Sequence, residues 1–598
     1  MARLTVAPAI VVLGSGALPV AESIRSRYEG ATIHVLAGRA EGDVAFSELG
    51  AHLRALYARG NPVVALCAAG IVIRCVAPCL ADKGVEPPVL AVAEDGSAVV
   101  PLLGGLTGVN LLAREIAETL GIAPSITSSG ELRFGACVLN PPEGYALADV
   151  GAGKRFVSDL LAGASTRVNG AAPWLEGVAL PVDATGSHAI RVTPHRAGGA
   201  GSGELLIHPR SVIVALAEGF ADQAESLATL EKAADHEAGN DPLARRILDA
   251  LSAEDLSPLT LAALVAPQQC IREARLARAA RHLGVPLRFV ASEGGQTDNA
   301  AVLLDAALVA SSIVASTTMS NGALSETARR LAIAIAEAPV DANRLGRARG
   351  SLMVLGLGPG RADLLAPAAR LALDDATDIL GYATYVRMAG PFRTDQHVHE
   401  TDNHKELQRA RHAFELASQG CRVAMVSSGD PGVFAMAAAV LEALDSSGES
   451  AWDDVALEVI PGVSAAFATA AEAGAPLGHD FCVISLSDNL KPWKVIEERL
   501  ALAVRADLVM AFYNPISKAR PWQLDRALDI LREVRAADTV VVLGRDVGRP
   551  GASLRSLTLG ELRATDVDMR TMVIVGSKKT RRFASADREW IYTPRFYK

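Results

Sequence analysis

Short, unbroken apolar runs that stop at turns of glycine, proline or asparagine recur along this chain of 598 residues, with amphipathic stretches between them. Residues 9–13 meet Gly14-Ser15-Gly16, and an amphipathic stretch at 20–28 then leads to a second run at 32–36. Runs at 63–67, 89–92 and 98–103 follow, with a helix expected over 110–120. A strand without polar alternation is apolar on both faces, which fits a parallel sheet covered by helices. Half the residues are hydrophobic but only 4% are aromatic, so small aliphatic side chains must fill the interior. The fold class is α/β.

A single core stops growing at roughly 250 to 300 residues, so this chain must hold several domains. The first spans 1–150. Residues 151–203, rich in glycine, alanine and short polar residues, read as a linker or loose insert whose most flexible part is 198–203. A strand pattern at 205–217, with helical periodicity over much of 242–283 and 324–338, indicates a small α/β domain at 204–343. A basic, glycine-containing junction at 344–350 precedes a last unit, 351–598, expected to comprise two subdomains, about 351–464 and 465–598.

The net charge of -9 gives no overall attraction to phosphate backbones, which disfavours nucleic acid as a partner. Seven scattered cysteines make no disulfide framework and imply a reducing, cytoplasmic setting. Cys75 and Cys79 lack a second ligand pair, so they read as small hydrophobes and no metal site is expected. No apolar run is long enough to span a membrane.

The chemistry concentrates in the last unit. The run 352–355 enters Gly356-Leu357-Gly358-Pro359-Gly360, and 422–426 enters Ser427-Ser428-Gly429-Asp430-Pro431-Gly432. Likewise 457–460 enters Pro461-Gly462-Val463-Ser464, and 508–512 enters Tyr513-Asn514-Pro515. In an open α/β sheet the ligand crevice lies beyond the carboxyl ends of the strands, where such loops converge on one small molecule. Pro359 argues against a dinucleotide fingerprint, which wants a further glycine at the helix start.

These blocks, with Gly381-Tyr382, Lys491-Pro492-Trp493 and the segments 474–488, 545–550 and 568–571, resemble the tetrapyrrole methylases, and within them the C(17)-methylating branch of cobalamin (corrin ring) biosynthesis. The resemblance implies two α/β subdomains with S-adenosylmethionine between them, a precorrin in the adjoining trough, and a homodimer. It places the cofactor on Leu357, Pro359, Asp430, Val433, Phe434, Ser464, Phe512 and Asn514, with Phe512 packed on adenine. It also implies methylation of ring carbon 17 coupled to ring contraction of a precorrin that carries a meso hydroxyl, so a proton acceptor is required. Tyr382, His404, His479 and Asp488 are the candidates, and the catalytic group stays open among them. A precorrin bears many carboxylates, for which Lys491, Arg520, Arg545 and Arg549, with Lys494 and Lys518 nearby, supply positive charge.

The N-terminal blocks 68–74, Asp82-Lys83, Glu86-Pro87-Pro88 and Gly104-Gly105 through Ala113 resemble the cobalt-precorrin-5A hydrolases, which open a lactone and release acetaldehyde. That family has a histidine after the paired glycines, where this chain has Leu106 followed by Thr107. Its later Gly-x-Gly reads Ala215-Leu216-Ala217, and its lysines near residues 325–330 are missing. The competing functions are a methylase of the same class acting on ribosomal RNA or diphthamide, and a non-catalytic precorrin-binding scaffold.

Overall fold

The structure is a computed structural model that describes residues 7–28, 30–80, 86–196, 203–220, 241–291, 299–318, 330–390, 392–393, 395–402, 405–585 and 588–596. The chain divides into two compact units, one built from residues 1–349 with 391–395 and one from 350–390 with 396–598.

Among the described residues the first unit holds three sheets. Its six-stranded sheet runs β3 (Val44–Phe46), β2 (Thr32–Leu36), β1 (Ala9–Val12), β4 (Val63–Leu66), β5 (Val89–Val92), β6 (Val99–Leu103). It is parallel apart from β6, and β1, β4 and β5 are buried along their whole length, as their unbroken apolar runs require.

The second sheet, β7 (Tyr145–Leu147), β10 (Glu204–Pro209), β9 (His188–Val192), β8 (Thr166–Asn169), replaces the expected linker. Asp149 caps the helix Val150–Leu161, which buries Phe156 and Leu160, four residues apart on one face, with Ile190, Leu205 and Ile207. A glycine- and alanine-rich composition hid this small core. Of the cluster expected to be flexible, 198–202 lies outside the described residues.

The third sheet runs β13 (Leu287–Val290), β12 (Leu261–Pro267), β11 (Val212–Leu216), β15 (Leu331–Ala336), β14 (Ala315–Thr318). Residues 331–336, expected to be helical, form β15, antiparallel to both neighbours, because alternating Ala and Ile fit a strand covered on both faces.

The second unit opens with a wholly parallel sheet in the order β18 (His397–Thr401), β17 (Asp378–Tyr382), β19 (Arg422–Ser427), β16 (Ser351–Gly356), β20 (Ala456–Ile460). A mixed sheet follows: β22 (Phe481–Ser485), β23 (Val509–Tyr513), β26 (Thr571–Val575), β24 (Val540–Arg545), β25 (Ser553–Thr558). A small third sheet joins β21 (Gly474–Ala475), β28 (Arg588–Tyr592) and β27 (Arg581–Ser585). Among the described residues no helix is long and apolar enough to cross a membrane.

Candidate active site

The first strand of the second unit, β16, lies between β19 and β20, so the loops leaving all three strands meet at one edge of the sheet. Strand order reverses there, and such a point opens a crevice. The loops touch backbone to backbone. Gly358 and Gly429 exchange N–H···O bonds of 3.1 and 2.8 Å, and a Cβ on Gly356 would stand 2.6 Å from Gly429 O and 2.7 Å from Gly462 N. Only glycine permits that approach. Asp430 ties the cluster: Gly432 N donates to its Oδ1 at 2.8 Å and Gly462 N, from the next loop, to its Oδ2 at 3.1 Å. At the end of β19 the buried hydroxyl of Ser427 meets no partner among the described residues.

The second sheet closes the crevice from the other side. Arg549 donates from Nε to Pro359 O at 2.9 Å and from Nη2 to Ser428 Oγ at 2.8 Å. Its neighbour Gly548, at φ +87°, packs so closely on Pro359 that a Cβ would come within 2.8 Å. Phe434 and Asn514 are both left-handed, at φ 53° and 49°; asparagine adopts that region readily, whereas for Phe434 it is strain kept only where the surroundings impose it. Phe434 is half exposed and its ring lies 5.4 Å from that of Tyr513, whose hydroxyl accepts from Ala466 N at 3.1 Å. Lys491 Nζ stands 5.9 Å from the Phe434 ring centre; partial burial, then the charge of Arg499, lowers its pKa.

Beyond Asn514 the loop folds back so that buried Arg520 donates to Asn514 O at 2.9 Å, with Met569 Sδ at 3.9 Å. Asp488 takes Gln523 Nε2 on both oxygens at 3.3 and 3.2 Å. Leu490, Trp522 and Met569, all exposed, supply apolar surface beside these polar groups.

Several sequence expectations change against this geometry. Phe512 is fully buried with Leu500, Leu524 and Leu528, on the face of β23 that packs on helices, so its side chain does not face a ligand. Tyr513, which sequence reasoning passed over, points to the opposite face, as the two-residue period of a strand dictates. Leu357 is buried at the start of its loop and Ser464 at the end of its own, as the N-cap of the helix Ala465–Ala473, while Val433 N donates to Asp430 O at 3.3 Å. Arg545 is spent on Asp568 (2.9 Å) and Asp546 (3.1 Å), and Arg549 on the loops, so neither offers a free guanidinium to substrate carboxylates.

Of the proton-acceptor candidates, His479 sits before β22, at the strand end opposite the crevice. Six residues at about 3.3 Å each separate it from Ser485, roughly 20 Å. Tyr382 ends β17 with its ring 5.4 Å from Tyr385, whose phenol pKa burial raises against the opposing charge of Arg549. His404 lies outside the described residues.

In the first unit Leu106 is exposed, and the Thr107 hydroxyl donates to Glu86 O at 2.6 Å and Gly104 O at 3.1 Å. Ala215, Leu216 and Ala217 are buried, and Asp82, Lys83 and 325–329 lie outside the described residues.

Comparison with known proteins agrees with this division. The profile of the Tetrapyrrole (Corrin/Porphyrin) Methylases matches residues 351–563, and that of Cobalamin synthesis G N-terminal matches 51–131. The Precorrin-3B C(17)-methyltransferase of Sinorhizobium sp is 51% identical over 249 residues, 42% of this chain and 97% of that protein. The chain belongs to the tetrapyrrole methylases. The Cobalamin biosynthesis protein CobIJ of Mycobacterium bovis is 46% identical over 42% of this chain, and the match spans 48% of that protein's length. The Probable cobalt-factor III C(17)-methyltransferase of Salmonella typhimurium is 42% identical over 38% of this chain and 93% of its own. Among solved structures, the methyltransferase CobJ is 48% identical, covering 41% of this chain and all of that one, with a TM-score of 0.39. The chain is thus a methyltransferase of this family with a cobalamin-synthesis-G-like region before it.

Proposed function

We propose that residues 350–598 bind S-adenosylmethionine in the crevice between the loops of β16, β19 and β20 and those of β23, and methylate a precorrin at ring carbon 17. The observation that carries this is the 51% identity across 97% of a precorrin-3B C(17)-methyltransferase. The glycine-packed loops and the orphaned Ser427 hydroxyl fit a polar small molecule held close to backbone. When bound, the cofactor supplies a methyl group already activated on a sulfonium. The chain's own contribution is therefore positioning and exclusion of water. Asp430 fixes the loops, Phe434 and Tyr513 give aromatic surface, and Asn514, held to Ser485 Oγ at 3.1 Å, sets the turn. Lys491 and Arg520 are the cations that meet substrate carboxylates.

The test is to incubate the whole chain with methyl-labelled S-adenosylmethionine and precorrin-3B, with the cobalt-bearing ring as a second arm. One label per tetrapyrrole with a shifted absorbance spectrum is expected; no label in either ring rejects the reading. Sedimentation of the same protein tests the homodimer that the resemblance implies.

For the first unit we propose binding of a ring intermediate without hydrolysis. Leu106 offers no acid or base, and the hydroxyl of Thr107 is already spent on backbone. Acetaldehyde released from cobalt-precorrin-5A by the unaltered chain would overturn this.

A further inference from the structure

The wholly parallel sheet of the second unit sends two further strands, β17 and β18, to the edge where the crevice lies. At the end of β18, where the helix Glu406–Ser418 begins, is a hollow of about 230 Å³ whose lining includes Thr401, Asp402, Lys405 and Arg409. Sites for whole small molecules run from roughly 300 to 1,000 Å³, so this one suits an arm of a ligand rather than a ring.

Arg409 sets the chemistry of the hollow. It is only 4% exposed, and it donates from Nε to Thr401 Oγ1 at 2.5 Å, from Nη2 to Asp402 O at 2.9 Å and from Nη1 to Met436 Sδ at 3.1 Å. Among the described residues five N–H groups thus meet two neutral oxygens and a thioether, a weak acceptor. Arg535, as deeply buried, has Asp507 at 3.3 Å, whereas no described carboxylate forms an ion pair with Arg409. A buried charge without a counter-charge is costly, and burial lowers the Arg409 pKa even against Glu406 and Tyr385. Of the acids on the rim, Glu400 turns to Arg387 at 4.0 Å, which leaves Asp402 beside the exposed Lys405. Lys405 is also the N-cap of the helix and has no side-chain oxygen for its first amides, so that helix end favours negative charge as well.

The hollow adjoins the crevice without belonging to the cofactor loops. Met436 opens the helix that follows the Gly-Asp-Pro turn, two residues after Phe434, and Tyr385 feels both Arg409 and Arg549, which holds the crevice loops. Yet β18 is two strands from β19 and three from β16, roughly 10 and 14 Å at about 4.8 Å per strand. An anion that arrives there comes from a ligand broader than the cofactor. A precorrin carries carboxylate arms around a wide ring. We infer that the hollow is an anion subsite for one carboxylate arm of the acceptor ring, with Arg409 as its buried fork and Lys405 at its mouth; this rests on the methyltransferase reading above.

The test uses the full chain with saturating S-adenosylmethionine and varied precorrin-3B. Arg409→Lys keeps the charge but loses the fork, and KM for the ring is expected to rise about 10- to 100-fold, the range of a charge-assisted hydrogen bond. Lys405→Glu, at an exposed position, should raise KM about three- to tenfold at low salt, with a smaller effect as ionic strength increases. In both, kcat and calorimetric cofactor affinity should stay within about twofold of wild type, the mark of binding energy shared by ground and transition states. Should Arg409→Lys fail to fold, Lys405→Glu decides alone. Wild-type KM in Lys405→Glu at low salt overturns the inference. So does a loss of cofactor affinity with KM for the ring unmoved, which would assign the hollow to the amino-acid end of the cofactor. A wild-type chain that transfers no methyl group sinks both readings; a working wild type with unaffected variants sinks only this one.

Discussion

Asp430 is the residue whose removal tests the crevice most directly. Its carboxylate receives one amide from its own turn (Gly432, 2.8 Å) and one from the loop after β20 (Gly462, 3.1 Å). The first bond shapes the Gly-Asp-Pro turn; the second fixes the distance between two loops that line the crevice. A hydrogen bond to a charged group contributes about 1.5 to 3 kcal/mol, and in Asp430→Ala only the cross-loop bond is charged against ligand binding, since water can hydrate the freed amide within the turn. That predicts roughly 10- to 100-fold weaker S-adenosylmethionine binding at 1.4 kcal/mol per factor of ten. Asp430→Asn is the sharper variant. Its amide can still accept from one N–H, but its NH2 then faces the other, so it should lose as much as alanine. Calorimetric titration of the full chain measures both. Unchanged affinity in both variants would refute the idea that this carboxylate holds the crevice, and a loss in alanine alone would mean that charge at Asp430 is irrelevant.

Three further outcomes follow from the same geometry. Phe512→Leu should cost about 1 to 2 kcal/mol of stability through imperfect repacking and leave cofactor affinity within twofold, which denaturant unfolding and calorimetry report together; a selective loss of affinity would restore a ligand contact for that ring. Residues 350–598 expressed alone should fold and bind S-adenosylmethionine, since their sheets and cores are complete, and insoluble or cofactor-blind protein would contradict this. In the first unit burial, then the neighbouring His52, pushes the His34 imidazole down to about 4. Because an unfolded histidine titrates near about 6.5, the unfolded chain binds more protons between those values, so stability is complete above about pH 6.5 and up to about 3 kcal/mol is lost as pH falls toward 4. His34→Gln should flatten that slope in thermal unfolding, and an unchanged slope would show that another group carries it.

The loops of the second unit were legible because glycine spacing after an apolar run reports a backbone requirement, and the contacts among Gly356, Gly429 and Gly462 meet it. Side-chain partners were not legible. Arg545, Arg549 and Arg520 look alike as charges in a sequence, yet one is spent on Asp546 and Asp568, one on two loops, and one is buried against neutral atoms. Phe512, which the family resemblance sets against adenine, lies in the helix-covered core because the two-residue period of β23 turns Tyr513, not Phe512, to the other face. The sheet at 145–209 was missed for a different reason: its core is small, and glycine- and alanine-rich segments carry a weak periodic signal.

These assignments narrow which cations remain for a polyanionic ring. Arg520 is 7% exposed, and its partners are the neutral Asn514 O and Met569 Sδ. Among the described residues this buried guanidinium is held by neutral groups alone, which do not recover the hydration it lost, so a carboxylate arriving beside it gains more than one at a solvated lysine. The bond to Asn514 O also couples that gain to the turn that carries Asn514. A carboxylate bound at Arg520 would therefore tighten the same turn that lines the cofactor crevice. Substrate and cofactor should then bind with positive coupling, each raising the other's affinity by the same factor. Arg520→Lys, which keeps the charge but loses the fork that reaches Asn514 O, should weaken precorrin binding and reduce that coupling toward unity in paired titrations.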